Sequence, residues 1–171
     1  MTTSLSTRAA WYEKNGEAQD VMVVGSLPLK APGKGEVCVR LATSGVNPSD
    51  VKSRRARPLT DPWVVPHSDG AGVIEAVGEG VTQFKVGDRV LGATGNNGGM
   101  AEKTVLNAAT AYTLPEERSF AEGAVLILTY GTSIHALVDR GHLKAGETLL
   151  VLGAAGGVGL AAVELGVAYG A

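Results

Sequence analysis

The sequence predicts a mixed fold, with an all-β first part followed by the opening of an α/β second part. Three observations carry this. Short runs of alternating apolar and polar residues crowd positions 36–114, a serine–glutamate helix start interrupts them at residue 119, and the chain closes on a short apolar run, a glycine-rich loop and a helical apolar pattern. The boundary falls near residue 120, giving domains 1–120 and 121–171.

Residues 36–44, EVCVRLATS, place Val37, Val39 and Leu41 on one face and Cys38, Arg40 and Ala42 on the other, as in a half-buried strand. A short helix follows in PSDVKSRRA, with Asn47 as its N-cap, Pro48 at the first helical position and Asp50 three residues past the cap. Four more strand candidates are GVIEAVG (72–78), DRVLGA (88–93), AEKTVLN (101–107) and TAYTL (110–114). Glycine-bearing turns separate them and no crossover helix fits between, so a compact antiparallel β-barrel or sandwich is expected. In VGEGVTQFKVGDRV, Gly78, Gly80 and Gly87 are available where tight turns need positive φ.

Ser119 and Glu122 fit a capping box ahead of the apolar run FAEGAVLILTY. A second helical stretch, TSIHALVDR, is expected to stop before Gly141 as a left-handed terminator. After the turn HLKAGE comes LLVLG (149–153), short and apolar throughout, which suits a strand buried on both faces of a parallel sheet.

Three readings compete for residues 149–171. A membrane span of about 20 residues has the length, but glycine recurs through the loop, Glu164 lies inside the span and no basic flank follows. A plain glycine-rich connection is the second. The third is a phosphate loop: a buried strand, LGAAGGVG and an apolar helix form the context of the dinucleotide fingerprint G-x-G-x-x-G. Ala154 departs from the first position, while Gly156 and Gly159 hold the second and third. Gly156 allows close approach of a pyrophosphate and Gly159 allows helix–strand packing. Ala155, Gly157 and Val158 complete the loop, with free N–H groups at the positive end of the helix dipole.

Composition narrows the partners. Fifteen basic residues against 17 acidic give a net charge of −2, so neither nucleic acid nor an acidic lipid surface is expected, and a small molecule is. The single cysteine, Cys38, makes no internal disulfide or cysteine-rich metal site, which fits a reducing cytoplasm. The first residues, MTTSLSTRAAWYEKNGEA, lack the apolar run of an export signal.

Taken together, GVNPSD (45–50), PHSDGAGVIEAVGEGV (66–81), FKVGDRV (84–90), LTYGTSIHAL (128–137) and LGAAGGVG (152–159) resemble the medium-chain dehydrogenase/reductase superfamily, nearest its zinc-independent, zeta-crystallin-like quinone oxidoreductase branch. The resemblance implies a GroES-like catalytic β-domain and the start of a Rossmann domain that binds NADPH. In the zinc-dependent branch a cysteine ligand stands where this chain has Asn47 and a histidine ligand where it has Ser68, so no zinc is expected. His67 occupies a position where relatives carry glycine and reads as a packing or solvent residue. By the same resemblance Asn47 and Thr129 face the nicotinamide, with N-capping and back-bonding within a helix as their plainer roles. Tyr130 either lines the acceptor pocket or is core.

Other features take plainer readings. Lys52, Arg54, Arg55 and Arg57 form a solvated helix face, with anchoring of a phosphate-bearing acceptor as the alternative. The loop GATGNNGGMAE (92–102) has the composition of a mobile rim to the acceptor site. His135 and Asp139 form a surface pair, and GTSIH lacks the final glycine of a nucleophile elbow, which sets a serine hydrolase aside.

Without a metal to stabilise an alkoxide, the accessible chemistry is hydride transfer from NADPH to an electron-poor quinone or conjugated carbonyl. An enoyl-thioester or alkenal reductase is the neighbouring alternative, and a non-enzymatic binding or assembly module is the alternative of another class. The resemblance further implies that the chain is one piece of a protein about twice its length, a homodimer, inactive as this piece alone.

Overall fold

The computed structural model describes residues 5–95 and 98–171, and the chain separates into two compact units, Met1–Val125 and Leu126–Ala171. The first unit holds strands β1 (Leu5–Trp11) and β2 (Val23–Leu29), joined through a short helix α1 (Ala18–Val21) and paired antiparallel from Leu5↔Leu29 to Trp11↔Val23. Neither strand was expected. The face of β1 that turns inward is built of small or polar residues, Thr7 and Ala9, so it carries no apolar period-two signal.

The five expected strands do form, as an antiparallel sheet of order β6-β3-β4-β5-β7: β3 (Glu36–Ser44), β4 (Asp69–Val77), β5 (Arg89–Ala93), β6 (Lys103–Asn107) and β7 (Ala111–Thr113). Val37, Val39, Ile74, Val90 and Leu106 interlock as its core, with Phe84 and Val81 against them from the connecting turns. Cys38, expected on the outer face of β3, is buried as well, beside a register shift between Cys38 and Val39. The first pair of strands joins this sheet at its edge, where Glu102 donates to the Arg8 carbonyl (2.8 Å) and Ala10 to that of Met100 (2.9 Å).

Gly80 (φ 77°) and Gly87 (φ 94°) adopt the left-handed conformation expected of them. Gly78 does not, and its missing side chain serves close approach instead. A Cβ there would lie 1.8 Å from the Gly33 carbonyl oxygen and 2.8 Å from that of Glu36, which accepts the Gly78 N–H.

Helix α2 (Pro48–Ala56) starts on Asn47. Its far end is closed by Asn15, whose Nδ2 lies 3.2, 2.9 and 3.0 Å from the carbonyls of Ser53, Arg54 and Arg57. The basic run is a solvated face except at Arg54: Lys52, Arg55 and Arg57 are exposed, Arg55 pairing with Glu17 at 3.0 Å, whereas Arg54 is buried and donates to the Gly16 carbonyl. The alternation of short polar and long charged residues hid this, because the segment that covers Arg54 comes from 38 residues upstream.

Helix α3 (Phe120–Ile134) opens on the expected capping box, with Ser119 N–H to Glu122 at 2.8 Å and Glu122 N–H to Ser119 Oγ at 3.2 Å. Arg89 of β5 secures this start, its guanidinium 4.5 Å from the Phe120 ring centroid. The two expected helical stretches are one: α3 continues into a π-helical end, His135–Arg140. Gly141 is right-handed (φ −83°), and the left-handed residue is His142 (φ 51°). The run Phe120–Arg140 is long and apolar enough to cross a bilayer, a composition that a helix packed inside a protein shares.

In the second unit, helix α4 (Gly157–Ala168) is 12 residues long, too short for the span considered for residues 149–171. The predicted strand LLVLG is not one. No neighbouring strand among the described residues pairs with it, and a strand exists only through its ladder. It keeps a period-two exposure: Leu149 and Val151 are half-covered, with Leu149 against Gly166 of α4, while Leu150 and Leu152 are 81% and 87% exposed.

Two glycine substitutions separate the close-approach and turn roles. Gly78→Ala forces a backbone carbonyl aside and is expected to destabilise the first unit by about 3 kcal/mol or more, whereas Gly80→Ala meets nothing nearer than 3.9 Å and costs about 1 kcal/mol. Urea unfolding distinguishes them, and equal losses would reject the assignment. A second expectation concerns acid. Hydrogen bonds from the Ser119 backbone and hydroxyl, then from Arg118, hold the Glu122 carboxyl below its ordinary range. The box is therefore intact above the unfolded carboxylate range and lost as pH falls through the lowered folded value. Helical dichroism should decline there, and less steeply in Glu122→Gln.

Candidate active site and cofactor loop

The site in the first unit is assembled around Asp69, the first residue of β4 and 1% exposed. Asn47 donates its Nδ2 to Asp69 Oδ1 at 3.1 Å, and Gly45 N–H donates to the Asp69 carbonyl at 3.1 Å. Gly45 has to be glycine, since a Cβ would fall 2.4 Å from Asp69 Oδ1. Asp50 closes the start of α2, accepting the Asn47 N–H at 2.8 Å with Oδ2 and the His67 N–H at 3.2 Å with Oδ1. Asn47 thus sits at the N-cap as expected, with Pro48 after it, while its side-chain amide is turned to the buried carboxylate.

His67 is buried and left-handed, φ 70°, a conformation that costs a residue with a Cβ about 1–2 kcal/mol relative to the right-handed helix. Its Nδ1 lies 2.8 Å from Ser44 Oγ. Its carbonyl accepts from Thr94 Oγ1 (2.8 Å) and Gly99 N–H (3.2 Å). Those bonds, with Gly98 N–H to Val65 and Met100 N–H to Pro66, lace the returning arm of the glycine-rich loop to residues 65–67. That arm packs as a wall against residues 65–67. Asn96 and Asn97 at the loop's tip lie outside the described residues.

A cavity of about 350 Å³ opens beside this cluster, walled by Tyr12, Ser49, Asp50, Arg57, His67 and Ser68 among others. Burial pushes the Tyr12 phenol above its ordinary range, against the pull of Arg57 and Arg54, so it is a neutral hydroxyl at physiological pH. Sequence reading missed Tyr12. It reaches the cavity through the bridge Tyr12↔Val64, a pairing across 52 positions with no local signal. Among the described residues no group of three or more His, Cys, Asp or Glu side chains is placed to hold a metal ion.

The second unit carries the loop. Gly156 is the N-cap of α4, and Leu160 is the residue whose N–H returns to Gly156 O at 2.8 Å. The N–H groups of Gly157, Val158 and Gly159 therefore precede the helical ladder and point with the positive dipole end. A Cβ on Gly159 would lie 2.3 Å from the Gly153 oxygen, whereas one on Gly156 meets nothing nearer than 3.7 Å. Gly159 is demanded by packing, and Gly156 leaves an open approach. This is the division of labour a dinucleotide loop requires, and the residues present fit a pyrophosphate. Ala155 lies in the turn that delivers them.

Thr129 stands against that loop, its Cγ2 3.0 Å from where a Gly157 Cβ would be. Tyr130 is tied to α4 by donating its hydroxyl to Glu164, a bond that raises the phenol above its ordinary range. Ser133 is 1% exposed and donates to the Val158 carbonyl at 2.8 Å, so it is a structural hydroxyl. His135 and Asp139 form the expected surface pair at 3.0 Å. The structure thus gathers Asn47, Asp69, Asp50 and His67 in one bonded cluster of the first unit, of which Asp50 and His67 line the cavity, and Thr129 with the loop glycines in the second.

Residues 33–116 match the alcohol dehydrogenase GroES-like domain family. The fold, the loop and this match together define the class: the chain belongs to the medium-chain dehydrogenase/reductase superfamily. Among its relatives is the human quinone oxidoreductase, 42% identical over 165 residues, which cover 95% of this chain and 50% of that protein. Among solved structures, the quinone oxidoreductase of Pseudomonas syringae superposes with a TM-score of 0.86 at 35% identity, over 96% of this chain and 50% of the other. The CurK enoyl reductase superposes with a TM-score of 0.88 at 28% identity, over 96% and 52%. The chain spans about half the length of the curated relatives it matches.

The two loop glycines make separable expectations. Gly156→Ala should leave the melting temperature within a degree or two and weaken any binding of a nicotinamide dinucleotide about tenfold, while Gly159→Ala should destabilise the second unit itself. Fluorescence titration with NADPH decides the first, and unchanged affinity would remove the loop from the cofactor site.

Proposed function

We propose that this chain forms part of an NADPH-dependent reductase of quinones or conjugated carbonyls that works without a metal. The observation that carries the reading is the donor set. Asn47 and Ser68 occupy the positions of zinc ligands in the zinc-dependent branch, and the Asn47 amide is engaged by the buried Asp69. Neither side chain is a good zinc ligand.

When bound, the cofactor supplies a hydride, and the chain supplies the rest. The N–H groups of Gly157 to Gly159 offer the pyrophosphate a positive helix end, and Gly156 leaves it room. Thr129, packed on that loop, is the residue we assign to the nicotinamide side. In the cavity, hydroxyls of Tyr12 and Ser49 and the guanidinium of Arg57 face the space where an acceptor's oxygen gathers negative charge. Charge that delocalises onto oxygen needs only such hydrogen-bond donors, which is why an electron-poor acceptor suits a site lacking a Lewis acid.

The likeness to the CurK enoyl reductase favours a second reading with the same chemistry, reduction of an α,β-unsaturated thioester. In both readings the partner is a small molecule, the assembly a homodimer and the compartment the reducing cytoplasm, where the buried Cys38 thiol stays unpaired. The protein carrying this chain is expected to oxidise NADPH only when a quinone, an enone or an enoyl thioester is added, and EDTA should leave the rate unchanged. The acceptor giving the largest kcat/KM separates the two readings. No acceptor-dependent oxidation at 340 nm would reject both.

A further inference from the structure

We propose that His67 is the proton donor to the oxygen of the reduced acceptor, with Ser44 deciding which ring proton leaves. The inference deepens the reductase reading and rests on it. Four observations carry it. His67 lines the 350 Å³ cavity, beside Ser68 and Asp50. Nδ1 is taken by Ser44 Oγ at 2.8 Å. Nε2 makes no hydrogen bond among the described residues, which leaves it as the ring nitrogen of this cavity-lining residue available to a ligand. The backbone at this position is left-handed, φ 70°, a conformation glycine adopts without strain. The backbone of His67 is thus held in an unfavourable conformation by bonds to both its N–H and its carbonyl, which fixes the residue in the cavity wall.

The charged ring carries two protons. The geometry lets Nδ1–H donate to Ser44 Oγ and leaves Nε2–H for the acceptor. Reduction adds a hydride to the acceptor, and the electron pair it brings collects on the acceptor's oxygen. That oxygen takes the Nε2 proton, forming O–H as N–H breaks, and leaves a neutral ring whose Nδ1–H is still held by Ser44. A solvent proton entering by the cavity recharges Nε2. The balance is one hydride and one proton per acceptor, with the nicotinamide oxidised and no further co-reactant. The titratable and charged groups that share the cavity or the adjoining bonded cluster with His67 are Asp50 at the start of α2, Asp69 at the start of β4, Tyr12 beyond β1, and Arg57 and Asp61 on the cavity wall.

Two variants test this. His67→Asn tolerates the left-handed backbone and can still meet Ser44 but lacks Nε2; His67→Gln places an amide nitrogen near the position of Nε2 that donates a hydrogen bond without releasing a proton. In both, kcat should fall about 10²-fold, the usual worth of a general acid, with the acceptor's KM changed less than threefold. A readout independent of turnover is the 15N resonance of His67 Nε2, which hydroquinone, standing for the reduced acceptor, should shift on binding. An active protein whose His67→Asn variant keeps its kcat, or an Nε2 resonance unmoved by saturating hydroquinone, overturns the proposal. A wild-type protein inactive with every acceptor rejects the reductase reading itself, and this inference with it.

Discussion

A buried carboxylate organises the first unit. Removing Asp69 from water costs several kcal/mol unless hydrogen bonds replace the hydration shell, so the elements around it are arranged to supply them. The Asn47 amide reaches it from the start of α2, and Gly45 presses against it with no side chain in between. Because Asn47 is fixed, the helix begins there, and because the helix begins there, Asp50 is in place to hold the His67 N–H. The cavity wall is the outcome of this chain of bonds.

The same logic explains what could be read in the sequence. Strands β3 to β7 announce themselves because their buried faces are apolar with period two, and the start of α3 because Ser119 and Glu122 satisfy each other locally. Strands β1 and β2 hide because their inward residues are small or polar. Arg54 misleads because a long-range carbonyl, not solvent, receives it. Gly78 was assigned to a turn when its role is to let β4 leave the sheet past the Gly33 carbonyl. The run LLVLG has a strand's composition, but pairing is a relation between segments and no described segment supplies it.

The site was legible to the same degree. The loop glycines and Asn47 follow from motifs whose spacing is local, and the structure assigns Gly156 and Gly159 different mechanical duties that the motif alone states only in outline. Tyr12 comes to the cavity through its long-range bridge to Val64 and has no such signature, whereas Arg57 arrives with the end of α2. His67 reads as an ordinary packing residue until its φ and its unoccupied ring nitrogen are known. The cavity belongs to the first unit and the phosphate loop to the second, and each is built from its own unit's residues.

The proposed reaction is direct hydride transfer to an electron-poor acceptor with no metal taking part. The most direct measurement is mass analysis of a saturated ketone made from a conjugated enone with NADPH deuterated at C4, run with and without EDTA. Direct transfer places one deuterium on the β-carbon of the product, from one C4 face only, at a rate the chelator leaves unchanged. A product that acquires its new β-hydrogen from solvent, or a reaction that chelation stops, would contradict it.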